Sequence, residues 1–258
     1  MTDAATAVCV FAVRRGRGPA LPAGLTGHSD GGEVRLMAAG DLWAVVQEVP
    51  AAGYDDAALR ARCADPAELE RLARTHHAVV SAAAAEWRAV PLPLATLYHD
   101  EHGARRGLLA HADRFDAVLR RVAEHAEWAV KVHREAAPSV SPAPPPSGRP
   151  GGGRDYLDRV RARQRAQQSG HETALRIADQ VDGAAREVAA EGVRRPLHGK
   201  EVTGEKRSQV LNGAYLVPLA KATAFTERIA RERAALPEGC TLELAGPWVP
   251  YSFTGEPA

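Results

Sequence analysis

The feature that most constrains the fold is the segment SPAPPPSGRPGGG at residues 141–153, which is mostly proline, glycine and serine. Its prolines favour extended backbone, its glycines are flexible, and it has no apolar side chains large enough to build a core. We therefore predict a linker over residues 138–153. It divides the 258-residue chain into an N-terminal domain, residues 1–137, and a C-terminal domain, residues 154–246. Both predicted domains fall within the usual size range.

The predicted N-terminal domain mixes strand-like and helix-like patterns. The apolar run AVCVFAV at 7–13 favours a buried strand, and the segments 33–40 and 41–49 around Gly40-Asp41 favour a hairpin. Asp65 as a cap and Pro66 as the first helical residue favour the start of a helix. The remaining predicted elements are an apolar stripe on that helix running from Leu69 to Trp87, an edge strand within 90–98, a second helix over 105–124 and a half-buried strand over 127–133.

The predicted C-terminal domain shows the same mixture. A helix is expected from Asp155 to about Ala190, bent or divided at Gly170, and another over 222–234 with Phe225 and Ile229 on its inner face. The strand-like segments are 193–198, 214–220 and 241–246, and the polar stretch 199–209 favours a solvated loop. Helices and strands do not alternate strictly. The fold class predicted for both domains is therefore α+β, with small, mainly antiparallel sheets covered by helices.

The charge balance argues against a general phosphate-binding surface, because 33 Lys and Arg residues face 32 Asp and Glu residues. The strongest local exception is the arginine-rich helix predicted at 154–168. Its arginines at 159, 161, 163 and 165 are two residues apart, which spreads them around a helix instead of along one stripe. A nucleic-acid-binding module that uses this helix is kept as the alternative function.

No motif predicts catalysis, a cofactor or a metal. The densest group of candidate ligands is His99, Asp100, Glu101 and His102, but neighbouring side chains diverge, and a polar turn is the preferred interpretation over a metal-dependent enzyme. The three cysteines have no Cys-x-x-Cys spacing, and neither a nucleophile elbow nor a phosphate loop occurs. His76 falls on the apolar stripe, where a hydrogen-bonded core histidine is expected. The N-terminal sequence lacks the charge order of a secretory signal, so a cytoplasmic protein is expected.

The C-terminal tail, residues 247–258, is rich in large rings for a chain terminus. Trp248, Tyr251 and Phe253 occur beside Pro247 and Pro250, which restrict the backbone. The tail either packs on the body of the protein and clamps the two domains, or presents its rings to a partner. The clamp is preferred, because exposed aromatic tails favour nonspecific association.

Taken together, several segments resemble the GvpL/GvpF family of gas vesicle proteins. The most specific is GPWVPYSF at 246–253, which is similar to the Gly-Pro-Trp-x-Pro-Tyr-Ser-Phe motif that closes the family's sequences. EWAVKV at 127–132 resembles a family strand that closes the N-terminal domain. Further matching segments are RTHHAVVSAAAA at 74–85, VPLPLATLYHDE at 90–101, YL at 156–157 and AYLV at 214–217. One departure is Pro93, at a place where many members carry an arginine.

The resemblance implies a non-catalytic accessory or minor structural protein of gas vesicles, the hollow protein-walled organelles that provide buoyancy. It implies that the chain binds the hydrophobic major shell protein and supports nucleation or assembly, with other accessory proteins as further partners. Neither nucleic acid nor membrane is an expected partner, and no cofactor is expected. The second domain is expected to be ferredoxin-like. An exposed sheet edge or hairpin would suit an apolar shell subunit, so Trp43, Leu94 and Leu97 are candidate contacts.

Overall fold

The computed structural model describes residues 5–85, 87–135, 152–197 and 207–255. It contains two compact units. The first comprises residues 1–127 together with 247–258, and the second comprises residues 128–246. Most of the predicted linker, residues 138–151, lies outside the described residues. Among the described residues, no helix is long and apolar enough to cross a membrane.

The first unit is built on a five-stranded sheet. The main strand order is β2-β3-β1-β4, and β5 also pairs with β1, so β1 is the central strand. The elements in chain order are β1 (Thr6–Arg15), β2 (Arg35–Ala39), β3 (Leu42–Pro50), α1 (Asp56–Ala64), α2 (Pro66–Ala85), β4 (Ala89–Pro91), β5 (Leu97–Tyr98), α3 (Glu101–Ala110) and α4 (Ala112–Val122).

Local sequence signals in this unit produce the expected structures. The hairpin prediction is confirmed, because Ala39 pairs with Leu42 across a two-residue turn. Gly40 has a φ of +62° there, a conformation that glycine adopts without steric cost. The predicted helix start is also confirmed. The Asp65 carboxylate accepts a 2.9 Å hydrogen bond from the Ala67 backbone N–H, and Pro66 is the first residue of α2.

Two helix predictions in this unit were only partly right. The helix expected over 105–124 is two helices separated at His111, whose φ of −117° and ψ of 19° are not helical. The break lets α3 pack on β2 while α4 packs on β1 and β4. The apolar stripe of α2 stops short of Trp87, since the helix ends at Ala85 and the Trp87 side chain is 41% exposed.

The second unit has a ferredoxin-like fold, as expected. Its elements are β6 (His125–Glu135), α5 (Gly152–Arg186), β7 (Glu191–Arg194), β8 (Arg207–Pro218), α6 (Ala222–Ala234) and β9 (Cys240–Trp248). This β-α-β-β-α-β sequence forms a sheet in the order β7-β8-β6-β9. Phe225 and Ile229 of α6 are fully buried in its core, as predicted.

The division between the units differs from the predicted boundary at residue 137. Strand β6 was expected to close the N-terminal domain, but it pairs with β8 and β9 and so supplies the first strand of the ferredoxin-like unit. The physical reason is its alternation. Trp128, Val130 and Val132 face one side and join the hydrophobic core formed with α5 and α6.

The predicted division at Gly170 does not occur, because α5 is one continuous helix from Gly152 to Arg186. Gly170 lies against the side chain of Arg134. A Cβ atom at this position would lie 2.5 Å from Nη2 of Arg134, so the missing side chain leaves room for the guanidinium. Farther along α5, Asp182 accepts a 2.6 Å hydrogen bond from the buried Tyr215 hydroxyl and a 3.1 Å bond from Arg186. The second core therefore contains a buried carboxylate that accepts hydrogen bonds from a charged donor, Arg186, and a neutral one, Tyr215.

Candidate functional site

The candidate site is the aromatic segment, Pro247–Phe253, which belongs to the first unit. Strand β9 ends within it at Trp248, and the residues Tyr251–Phe253 form a short 3-10 helix that follows Pro250. Proline fixes its own φ near −65° and so limits the conformations that the free segment can adopt. The observed φ of Pro250 is −75°. The segment is therefore partly ordered before it makes any contact.

Glu127 holds the C-terminal end of the segment. The Ser252 backbone N–H donates to Oε2 of Glu127 at 2.7 Å, and the Ser252 hydroxyl donates to Oε1 at 2.9 Å. The Glu127 carboxylate is 3% exposed, and the adjacent Phe253 ring is 1% exposed. Hydrogen bonds to a charged acceptor in a buried place are among the stronger ones. The glutamate of the EWAVKV segment and the serine of the closing GPWVPYSF segment thus form one structural unit.

Arg121, in the last turn of α4, also contacts this end. Its Nη1 donates to the backbone carbonyls of Phe253 and Gly255, at 3.3 Å each. Its Cζ lies 5.9 Å from the centre of the Phe253 ring, within cation–π range. The sequence patterns predicted neither Arg121 nor Glu127 as a partner of the tail, because the partners are more than a hundred residues apart.

Tyr251 packs against α2. Its ring centre lies 6.4 Å from that of His76 and 6.0 Å from that of His77. Burial raises the pKa of the Tyr251 hydroxyl to about 12, with the Glu127 charge adding to the effect. His76 is a hydrogen-bonded core histidine as predicted, with Nε2 3.0 Å from the Leu92 carbonyl oxygen. Burial is the main cause that lowers the pKa of His76, which favours the neutral imidazole.

The aromatic stack continues beneath His76 into the core of the first unit. The Phe11 ring lies 5.4 Å from His76 and 5.4 Å from His28, and His28 lies 5.7 Å from Tyr54. Among the described residues, Nδ1 of His28 and Nδ1 of His76 have no hydrogen-bond partner although both are buried. The docked end of the segment therefore rests on buried rings that are held in their neutral form.

The N-terminal end of the segment is open to solvent. Trp248 is 44% exposed, and its ring meets that of His77 in a T-shaped arrangement, with 5.4 Å between the ring centres. Pro247 is also exposed. This end of the segment thus leaves a tryptophan accessible, while Tyr251 and Phe253 are docked.

The segment's contacts described above are all with residues of the first unit. Its interpretation as a clamp between the two domains stays a prediction. The clamp residues named from the sequence divide between two environments. Phe253 and Pro250 are buried and Tyr251 is partly buried, whereas Trp248 and Pro247 are exposed.

The structure does not bring the three candidate shell contacts together. Trp43 pairs with Arg14 of β1, and Leu97 pairs with Cys9, five residues away along the same strand, a separation of about 17 Å. Leu97 packs partly against the core, and Leu94 lies half-buried in the turn before β5. Trp43 is half-buried too, and Cζ of Arg17 lies 5.9 Å from its ring centre. The role of these residues as contacts stays a prediction.

Two of the four residues considered as metal ligands have structural roles. Asp100 caps α3 by accepting a 2.6 Å hydrogen bond from the Gly103 N–H, and Glu101 forms ion pairs with Arg35 and Arg105. Within the described ranges, no group of three potential ligands could hold a metal ion. In the arginine-rich helix, the described side chains of Arg161 and Arg165 are exposed. The nucleic-acid alternative stays a prediction.

Comparison with known proteins assigns the chain to a family. The family model described as gas vesicle synthesis protein GvpL/GvpF matches residues 7–255. Gas vesicle protein L of Streptomyces sp. strain CB03234 is 39% identical over 250 residues, which covers 95% of this chain and 92% of that protein.

Solved structures agree with this on the level of the fold. The crystal structure of GvpF from Anabaena sp. PCC7120 has a TM-score of 0.70 at 13% identity, and the match covers 98% of each chain. GvpF from Microcystis aeruginosa has a TM-score of 0.64 at 12% identity, covering 96% of this chain and 99% of that one.

Proposed function

The chain belongs to the GvpL/GvpF family of gas vesicle proteins, and from this premise we propose that it is a non-catalytic accessory or minor structural protein of gas vesicles. It binds the hydrophobic major shell protein in the cytoplasm and supports the nucleation or assembly of the vesicle wall. Other gas vesicle accessory proteins are its further partners. The observation that carries the proposal is the exposed tryptophan of a segment whose other rings are docked.

An exposed aromatic side chain on a pre-ordered segment suits an apolar partner. Tryptophan is enriched among the residues that dominate binding energies at interfaces, since it buries a large area with few rotatable bonds. Docking of Phe253 and Ser252 restricts the backbone of the segment before any partner arrives. Binding through Trp248 therefore loses less conformational entropy than binding through a free tail would.

Trp43, Leu94 and Leu97 are proposed as a second set of contacts. Trp43 has a half-buried ring beside a surface cleft formed with the loop at 20–25, and it shares the face of β3 with the buried Val45. Because Trp43 and Leu97 lie at different ends of β1, one small partner segment would not reach both. We propose Trp43 as the more important of the two contacts, because its ring lines this cleft.

The test is co-expression with the major gas vesicle shell protein, followed by affinity capture of the full-length chain. The proposal predicts co-capture that survives high salt, because apolar contacts are not screened as charge contacts are. Capture that disappears as salt rises would indicate charge pairing instead of an apolar contact. Lack of capture, with this chain folded and the shell protein soluble, would contradict direct binding.

A further inference from the structure

A cleft on the first unit carries an inference beyond shell binding. It has a volume of about 810 Å³, and its lining includes Arg15, Trp87, Arg88, Asp116, Leu119 and Arg120. We name it the Trp87 cleft. It lies between the end of β1, the residues that follow α2 and one face of α4. None of the residues that dock the aromatic segment lines it.

Trp87 forms a fixed apolar wall of this cleft. Its indole N–H donates to the Arg15 carbonyl at 2.8 Å, so the polar atom of the ring is already satisfied. Behind the ring lies Gly18, where an added Cβ atom would be only 2.7 Å from the ring. Glycine thus allows the backbone to support the indole from one side while much of the ring stays exposed. A ring held in this way loses little further freedom when a partner packs on it.

The charges around the cleft are unequally matched. Arg15 pairs with Asp116 at 3.2 Å, and Arg88 pairs with Glu124. The second carboxylate oxygen of Asp116, Oδ1, is enclosed by the protein and so is not presented to the cleft. Arg120 is exposed, and among the described residues it has no ion-pair partner. The charge left over at this cleft is therefore a guanidinium beside an apolar surface.

We propose that the Trp87 cleft binds a protein segment that packs an apolar side chain on Trp87 and places a carboxylate on Arg120. Guanidinium groups recognise carboxylates through paired hydrogen bonds, and the neighbouring apolar wall lowers the local dielectric and strengthens that contact. A different cleft on this unit, beside Leu59 and Leu97, has Asp55 and Asp56 at its rim and would favour the opposite charge.

The test is a selection of short random peptides displayed on phage against the immobilised full-length protein, with the selected peptides then synthesised and titrated. We expect the selected peptides to combine a large apolar residue with Asp or Glu within one helical turn. Arg120→Glu should weaken their binding at least about tenfold. Trp87→Ala should weaken their binding similarly. If the Trp87→Ala protein folds poorly, Arg120→Glu still tests the proposal, because it changes only an exposed side chain.

The matched control is Arg114→Glu, an identical charge reversal on an exposed residue of the same helix, six positions away and outside the cleft. It should leave the affinity unchanged. Equal weakening by Arg114→Glu and Arg120→Glu would overturn the proposal, as would selected peptides that bind the Arg120→Glu protein normally or a selection that enriches nothing. The selection uses no gas vesicle component, so its failure is separate from a failure of shell binding.

Discussion

The two ends of the aromatic segment both carry large rings but differ in burial. At one end, Phe253 is buried, Ser252 is bonded to the Glu127 carboxylate, and Arg121 contacts the last carbonyls. At the other end, Trp248 pairs with the His77 ring in a T-shaped arrangement and is 44% exposed. Burial of the first end fixes the segment, and fixing it keeps the second end in place. The comparison predicts that stability depends on Phe253 and partner binding on Trp248.

The largest expected effect comes from removing the buried ring. Phe253→Ala should lower the free energy of unfolding by about 4 kcal/mol, because it removes a fully buried aromatic side chain and leaves a cavity. Chemical denaturation of the full-length chain, followed by circular dichroism, measures this. A loss below about 1 kcal/mol would mean that the ring contributes little to docking.

Acidification should destabilise the rings beneath the docked end. Burial is the main cause that lowers the pKa of His28 from 6.5 to about 4 in the folded protein. As the pH falls from 6.5 to about 4, the unfolded chain takes up a proton that the folded chain does not. Stability is therefore lost over that window, by about 3 kcal/mol in total, and it is recovered as the pH rises. Denaturant unfolding at a series of pH values measures the slope.

His28→Gln separates this group from the other titrating residues. The variant should be less stable at neutral pH, but its stability should depend less on pH between 6.5 and 4. His99→Gln, at an exposed histidine, is the control and should keep the full slope. An unchanged slope in the His28 variant would show that this residue is not the source.

The Glu127–Ser252 contact should have an intermediate effect. Glu127→Ala should cost about 2 kcal/mol, because it leaves the Ser252 N–H without that acceptor in a partly buried place. Ser252→Ala should cost less, and the double variant should cost less than the sum of the two, since both single changes break the same contact. Additive losses in denaturant unfolding would contradict the direct coupling of the two segments.

The smallest stability effect is expected at the exposed end. Trp248→Ala should change the free energy of unfolding by less than about 1 kcal/mol, as is usual for surface substitutions away from special contacts. The same denaturation experiment that detects the loss for Phe253→Ala checks this. A loss for Trp248→Ala as large as that for Phe253→Ala would remove the distinction between the two ends.

The parts of the fold that sequence patterns predicted are those set by near neighbours. Gly40-Asp41 defines a hairpin, Asp65-Pro66 begins a helix, and Phe225 and Ile229 mark the inner face of α6. Each signal lies within a few residues of the structure that it determines. The resemblance added the family and the ferredoxin-like second domain, which no local pattern contained.

The parts that the patterns did not predict depend on distant partners. The alternation of β6 marks a half-buried strand equally well in either sheet, so it could not show that β6 pairs with β8 and β9. Glu127 and Ser252 carry no signal of their contact, and Trp87 fits the spacing of α2 although the helix ends before it. A lysine or arginine near a helix C-terminus is common, and Arg121 was therefore unremarkable as a sequence feature.

The most direct test of the account is quantitative capture of the co-expressed shell protein by the wild-type chain and by Trp248→Ala, with Leu109→Ala as an exposed apolar control on the same unit. The account predicts that Trp248→Ala remains folded and loses most of the captured shell protein, while Leu109→Ala captures as much as the wild type. Undiminished capture by a folded Trp248→Ala protein would contradict the claim that the exposed end of the aromatic segment meets the shell protein.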